Sequence, residues 1–258
     1  MFRFLAVAAA SLALAAPALA AYPGTYGMQD GKGVASRDGT LRFVASKSVG
    51  QTLLLATRAR GGAVVRRATI GGQFGIPTLI TRGSPLGMFH DGHAFVVQSV
   101  GISPTSSFRV VSTRSLTVLR RIHLGGSWEF DALSPNGRTL FLIHHTTVND
   151  FQHYVVRAYD LRAHRLLPGR IADKAQAGWT MQGYPDVRAI TRSGRWVYTL
   201  YTNPGGFPFV HALDTVARVA HCVGIPWTGD QGPLSRFPPA IRSEKRERSE
   251  EHTSELQS

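Results

Sequence analysis

Glu129 and Asp131 flank Phe130 in a run that reads as an extended strand. Residues two apart on a strand point to one side, so both acids face the same way. Such a pair could hold Ca²⁺, or divide acid and base work between its members. A structural bond from Asp131 to a neighbouring turn is the plainer account of the same position. His144, His145, Asp150 and His153 form a second cluster. Imidazoles titrate near neutral pH and ligate zinc-like ions. Adjacent histidines on a strand point to opposite sides, however, so one segment does not easily converge three ligands. Solvated loop histidines explain this cluster more simply.

Other residues offer less. Trp128, Trp179, Tyr184, Tyr201 and Trp227 could wall a sugar or small-molecule site, with polar groups such as Asp230 setting orientation. The competing account has them filling gaps between packed sheets. His90-Asp91-Gly92-His93 has the look of a motif but reads as a hairpin turn. Cys222 is the one cysteine, so no internal disulfide forms, and a buried inert thiol suits it better than a nucleophile. There is no serine elbow, no CxxC and no phosphate loop.

The elements that position these residues recur. Asp38-Gly39, Asp91-Gly92, Asn136-Gly137 and Ser193-Gly194 each open a burst of apolar and aromatic residues, and the glycines are 53, 45 and 57 residues apart. Glycine suits a tight hairpin because it tolerates positive φ, and Asp, Asn or Ser before it can bond the turn backbone. A second phrase follows each copy: Leu53–Thr57, Phe108–Ser112, Val156–Asp160 and Val210–Asp214. Each runs into a further short strand. Four strands per unit, at a period near 50 residues, with no long helical periodicity after residue 20, predict an all-β chain of stacked four-stranded sheets.

Leu133-Ser134-Pro135-Asn136-Gly137-Arg138-Thr139-Leu140-Phe141 resembles the SPDGRTLYV signature of bacterial secreted YVTN-type propellers. Tyr159-Asp160-Leu161 and Leu213-Asp214-Thr215 resemble the V-x-D-T strand of the same family. The resemblance covers most of residues 30–225 and concerns fold more than activity. It implies a β-propeller of four-stranded blades, about four in residues 21–241 with the start of a fifth, and incomplete at its C-terminus. The superfamily includes lactonase-like enzymes, surface-layer proteins and members without an assigned role. By that likeness, ligands enter at the face carrying the loops between second and third strands and between blades. The expected ligand-binding residues there are Trp128, Glu129, His144, His145, Trp179, Tyr184 and Tyr201. A lactonase-like reading would use Glu129, His144 and Arg157 around the channel, and Glu129 with Asp131 is the candidate Ca²⁺ pair.

Residues 1–20 read as a secretory signal peptide. Arg3 supplies the positive charge, Phe4 to Ala15 the apolar stretch and Ala18-Leu19-Ala20 the cleavage site. No other segment is apolar over the length a membrane span needs. At the other end, residues 248–258 resemble a sequencing-library adapter translated in frame, and Arg242 to Glu247 begins the same way. Residues 242–258 are therefore expected to be a non-native or disordered tail without function.

The chain carries 29 Lys+Arg against 16 Asp+Glu, a net charge of +13. Glu129 is the only glutamate before residue 242. Such a field attracts anionic partners, although the dispersed arginines lack the clustering of a nucleic-acid footprint. The expectation is a monomeric, exported binding or scaffold protein of the cell envelope. Its ligand would be an anionic envelope polymer or a small molecule, not nucleic acid. The alternative is a lactonase-like hydrolase, which the scarcity of acids disfavours.

Overall fold

A computed structural model describes residues 33–78, 86–101, 103–147, 150–173, 180–203 and 205–231, without the side chains of 151 and 152. The expected signal peptide, the expected tail and Trp179 lie outside the described residues.

Among the described residues, seventeen strands form four antiparallel meanders in chain order. The first sheet holds β1 (Val34–Ala35), β2 (Leu41–Ser48), β3 (Gln51–Arg58) and β4 (Val64–Gly71). The second holds β5 (Phe74–Gly75), β6 (Ala94–Ser99), β7 (Thr105–Ser112) and β8 (Val118–Gly125). The third holds β9 (Trp128–Leu133), β10 (Thr139–Thr147), β11 (Asp150–Asp160) and β12 (Arg165–Leu166), with β13 (Met181–Gln182) added beside β11. The fourth holds β14 (Tyr184–Ile190), β15 (Trp196–Thr202), β16 (Phe209–Asp214) and β17 (Val219–Gly224).

One turn chemistry builds every sheet. Gly39, Gly92, Gly137 and Gly194 all have positive φ, between 63° and 76°. Their amides donate to the carbonyls of Ser36, Phe89, Ser134 and Thr191. The polar residue before each glycine accepts from the amide two positions on: Asp38 from Thr40, Asp91 from His93, Asn136 from Arg138 and Ser193 from Arg195. The side chain thus supplies a backbone-like acceptor that fixes the turn. The later hairpin repeats too. Leu116, His164 and Arg218 sit in the left-handed region at φ 59°, 55° and 58°, each four residues after Ser112, Asp160 or Asp214. Gly62 holds that place in the first sheet at φ 66°.

Among the described residues three buried clusters join successive sheets. Phe43, Leu54 and Ala56 of the first pack on Phe74, Phe95 and Val97 of the second. Val96, Phe108 and Ile122 pack on Phe130, Leu140 and Leu142 of the third. Phe141, Ile143, Tyr154 and Val156 pack on Val197, Tyr201 and Leu213 of the fourth. Strand β6 is buried on both faces, which is why Ala94 to Val97 read as an unbroken apolar run and not as an alternation. The final strands face solvent, and β4 and β8 are mostly exposed. Sheets that are sequential meanders, each face-packed only on its neighbours, are the blades of a β-propeller. Among the described residues no buried cluster joins the fourth blade to the first.

The strands are longer than the sequence suggests. The segment His144 to His153 is expected to be a loop, yet β10 and β11 continue through it and leave only residues 148–149 between them. His144 and His145 are strand residues paired with Val155 and Tyr154. Polar side chains on half-exposed strands carry no hydrophobic signal, so the hairpin looks like a loop in sequence.

Candidate functional site

The two faces of β9 and β10 divide the candidate residues between them. On the second-blade side, the rings of Trp128 and His144 stack at 3.8 Å with 7° between planes. The Trp128 indole N–H donates to the Gly125 carbonyl at 2.7 Å. Gly126 turns above this stack at φ 97°, where a Cβ would lie 3.0 Å from His144 Nε2. Trp128 is buried and His144 partly exposed. Burial, followed by the charge of Arg157, lowers the His144 pKa, so the ring is held neutral near pH 7. Arg157 lies two residues beyond Val155, the partner of His144, and so shares this side of the sheet. Its guanidinium donates to the Leu167 carbonyl at 3.0 Å.

Neutral side chains of the second blade clamp β9 from across this seam. Ser106 Oγ accepts from the Trp128 amide at 2.8 Å and donates to the Gly126 carbonyl at 3.0 Å. Gln98 Oε1 accepts from the Phe130 amide at 2.9 Å while its Nε2 donates to the Trp128 carbonyl at 3.3 Å. Thr52 does for the second blade what Ser106 does for the third, accepting from the Phe74 amide and donating to the Gly72 carbonyl, both at 2.7 Å.

Glu129 and Asp131 lie on the opposite side, toward the fourth blade. Asp131 is the extra residue of a β-bulge, where Phe130 and Ala132 pair with Leu142 and Phe141 and nothing pairs with Asp131. Its Oδ1 accepts from Arg188 Nη2 at 2.6 Å, both side chains being 1% exposed. Arg188 Nη1 also donates to the Asp131 carbonyl, and its Nε donates to Thr199 Oγ1 at 2.8 Å. Glu129 reaches His145, with Oε1 and Nε2 3.5 Å apart. Tyr154 stacks on Tyr201 at 5.7 Å, and Tyr201 meets His211 edge to face at 6.1 Å. The Cys222 thiol sits 3.7 Å from His211 Nδ1, and the Cys222 amide donates to Asp173 at 2.7 Å.

Burial sets the protonation of this seam. It pushes His211 down to about 4 and Cys222 up to about 11, Asp173 adding to the latter. It also raises both tyrosines, each helped by a neighbouring group: Tyr201 beside Tyr154, Asp131 beside Tyr201. A neutral thiol beside a neutral imidazole is the reverse of the thiolate–imidazolium pair a cysteine nucleophile needs.

The expected site residues are therefore not gathered at one place. Glu129 pairs with His145, while His144 and Arg157 lie on the other side of the same sheet. His145 is 4% exposed and Tyr201 fully buried, so neither offers its side chain to a dissolved ligand in this conformation. Tyr184 is half-buried at the start of β14. Trp227 is 40% exposed, its indole N–H donating to the Asp230 carbonyl at 3.2 Å. His153 is held by Asp150 at 2.7 Å and by Gln182 at 3.1 Å. As a Ca²⁺ pair, Glu129 and Asp131 fit poorly, because the Arg188 guanidinium already lies against the Asp131 carboxylate. Among the described residues no group of three His, Cys, Asp or Glu side chains could hold a metal ion.

Sequence reasoning missed Arg188, Thr199 and His211. A signal for Arg188 was present. Asp131 lies six residues before Gly137, and Arg188 six before Gly194, so superposing the repeats sets opposite charges at equivalent positions on adjoining blades.

No protein-family description matches the chain, and no curated protein matches it in sequence. Solved structures resemble it in outline. A TolB-type protein of Agrobacterium tumefaciens has 18% identity and a TM-score of 0.48, with 73% of this chain and 62% of that one covered. TolB of Acinetobacter baumannii has 16% identity and a TM-score of 0.44, covering 78% of this chain and 44% of the other. The Dos1 propeller has 14% identity and a TM-score of 0.43, covering 77% and 48%. The chain thus spans under two thirds of the length of each of these three proteins.

Proposed function

We infer that this chain is an exported propeller-type protein of the cell envelope, of the YVTN-like kind, that binds a partner and does no chemistry on it. In this reading residues 1–20 direct export and residues 21–241 form the blades. A chain of net charge +13 then draws an anionic envelope polymer or small molecule to the loop face. Partly exposed His144, Tyr184 and Trp227 are the side chains available there for contact, with Trp128 buried beneath His144.

One observation carries the preference for binding over hydrolysis. Glu129, the single glutamate of the blades, lies 3.5 Å from His145 on the side of β10 away from His144 and Arg157. General acid–base work needs its groups within hydrogen-bond reach of one reacting atom, and a β-sheet stands between these. Two measurements test the reading. Expressed with its leader, the protein should be recovered outside the cytoplasm with Ala21 at its N-terminus. It should also sediment with a polyanion such as polyphosphate but not with neutral dextran, and salt should release it. Lactone hydrolysis that is lost in Glu129→Gln would replace this reading with the hydrolase.

A further inference from the structure

The turn positions of the third and fourth blades differ in one respect that points to a ligand. In the fourth blade Arg195 follows the turn glycine and chelates Asp214, with Nε at 3.0 Å and Nη2 at 2.8 Å from Oδ2. The equivalent pair in the third blade is Arg138 and Asp160, since Thr139 pairs with Asp160 as Trp196 pairs with Asp214. Asp160 caps its turn in the same way, accepting from the amides of Arg162 and Ala163 at 2.8 Å. Arg138 feels the charge of Asp160 but makes no bond to it.

Arg138 lines a cavity instead. It lies between the second and third blades, on the face that carries the glycine turns, and measures about 320 Å³. That is the size of a small-molecule site. Its floor is apolar: Phe89, Val110 and Leu161, all buried. Its rim carries three guanidiniums, those of Arg120, Arg138 and Arg162. Among the described residues none of the three has a carboxylate within ion-pair distance. The nearby His93 is already held by Asp91. Gly137 packs directly on this floor, where a Cβ would come within 2.8 Å of the Phe89 ring.

We propose that this cavity binds a small amphiphilic anion, an aromatic or short acyl body with a carboxylate or phosphate head. The body replaces water on the Phe89–Val110–Leu161 floor, and the head takes paired N–H donors from the rim arginines, whose planar fork matches both oxyanions. The acids nearest the rim do not compete: Asp160 is turned into its own hairpin and Asp91 is taken by His93. The site lies on the face opposite the loop face, so it stands or falls independently of the envelope-binding reading.

Titration calorimetry on the full chain tests it with four probes: 1-naphthyl phosphate, 1-naphthoate, inorganic phosphate and 1-naphthol. The first two should bind at least roughly tenfold more tightly than the last two, since only they satisfy both floor and rim. Their order identifies the preferred head group. Arg138→Gln should weaken 1-naphthyl phosphate roughly tenfold, and Arg138→Gln with Arg162→Gln further, at an unchanged melting temperature. Arg192→Gln, an exposed arginine of the fourth-blade turn, should have no effect. Equal affinity for naphthol and naphthyl phosphate, equal affinity in the Arg138 variant, or no binding at millimolar concentration would each overturn the proposal.

Discussion

The third blade touches the second through a neutral seam and the fourth through an ionic one, though the same two strands, β9 and β10, build both. On the second-blade side, Gln98 and Ser106 satisfy backbone groups of β9 across an otherwise apolar contact. On the fourth-blade side, the β-bulge turns Asp131 inward and Arg188 meets it with two donors, its third binding Thr199. The repeat fixes the backbone and leaves each seam free in its side chains. A neutral clamp secures the order of blades at little electrostatic cost, whereas a buried ion pair is costly to form and more costly to break.

The largest effect expected on that contrast comes from breaking the ion pair. Arg188→Met leaves Asp131 charged and buried without its partner, which should cost about 3–5 kcal/mol in denaturant unfolding. Asp131→Leu combined with Arg188→Met removes both charges and should recover most of that loss. A single variant as stable as the double would mean that the Asp131 carboxylate is solvated, and the ionic description of the seam would fail.

Acid should act on the fourth-blade seam and spare the other. His211 is lowered from its ordinary 6.5 to about 4 by burial, with Asp131 and Asp173 opposing and Arg188 adding. The unfolded chain therefore binds the proton more readily than the folded one. Stability from His211 is full above pH 6.5 and is lost as pH falls toward 4, by as much as about 3 kcal/mol. His144 on the neighbouring seam is shifted in the same direction but is half-exposed, and its share should be small. His211→Leu should flatten the stability profile between pH 6.5 and 4, while His144→Leu should leave its slope almost intact. The reverse result would move the titrating group to the second-blade side.

The neutral seam should yield to a smaller change. Gln98→Leu removes the acceptor of the Phe130 amide and leaves that buried N–H unpaired, at about 1–3 kcal/mol. Ser106→Ala should cost a similar amount through the Trp128 amide. Both losses should be independent of pH over the range in which the other seam titrates.

The legibility of these features in the sequence follows their range. The turns were readable because each is closed within six residues by a polar side chain, a glycine and their own backbone, as in Ser134 to Thr139. The four described sheets and their strand order followed from the recurrence of those turns. The Asp131–Arg188 bond joins residues 57 apart, and neither residue differs locally from a surface charge. The alternation rule separates His144 from His145 but does not say which of them meets Glu129. That choice depends on the register of β9 on β10, with Ile143 opposite Glu129, and register is set by packing on both neighbouring blades. The arginine-rimmed cavity was hidden for a related reason. Its lining comes from turns and final strands of two blades, on the face that the family resemblance does not associate with ligands.

The smallest expected effect checks that the two seams differ in side chains alone. His164 and Arg218 occupy the same left-handed turn position in the third and fourth blades, outside either seam, and both are exposed. An L-residue there carries a conformational penalty of roughly 1 kcal/mol that glycine avoids, less the added freedom glycine gives the unfolded chain. His164→Gly and Arg218→Gly should each stabilise by a few tenths of a kcal/mol, and by equal amounts. Leu116 holds the same position in the second blade but is 1% exposed within the cluster between the first and second blades, so Leu116→Gly should destabilise through lost packing. Unequal gains at His164 and Arg218 would place part of the difference between the blades in the backbone, because nothing but the turn conformation is common to the two substitutions.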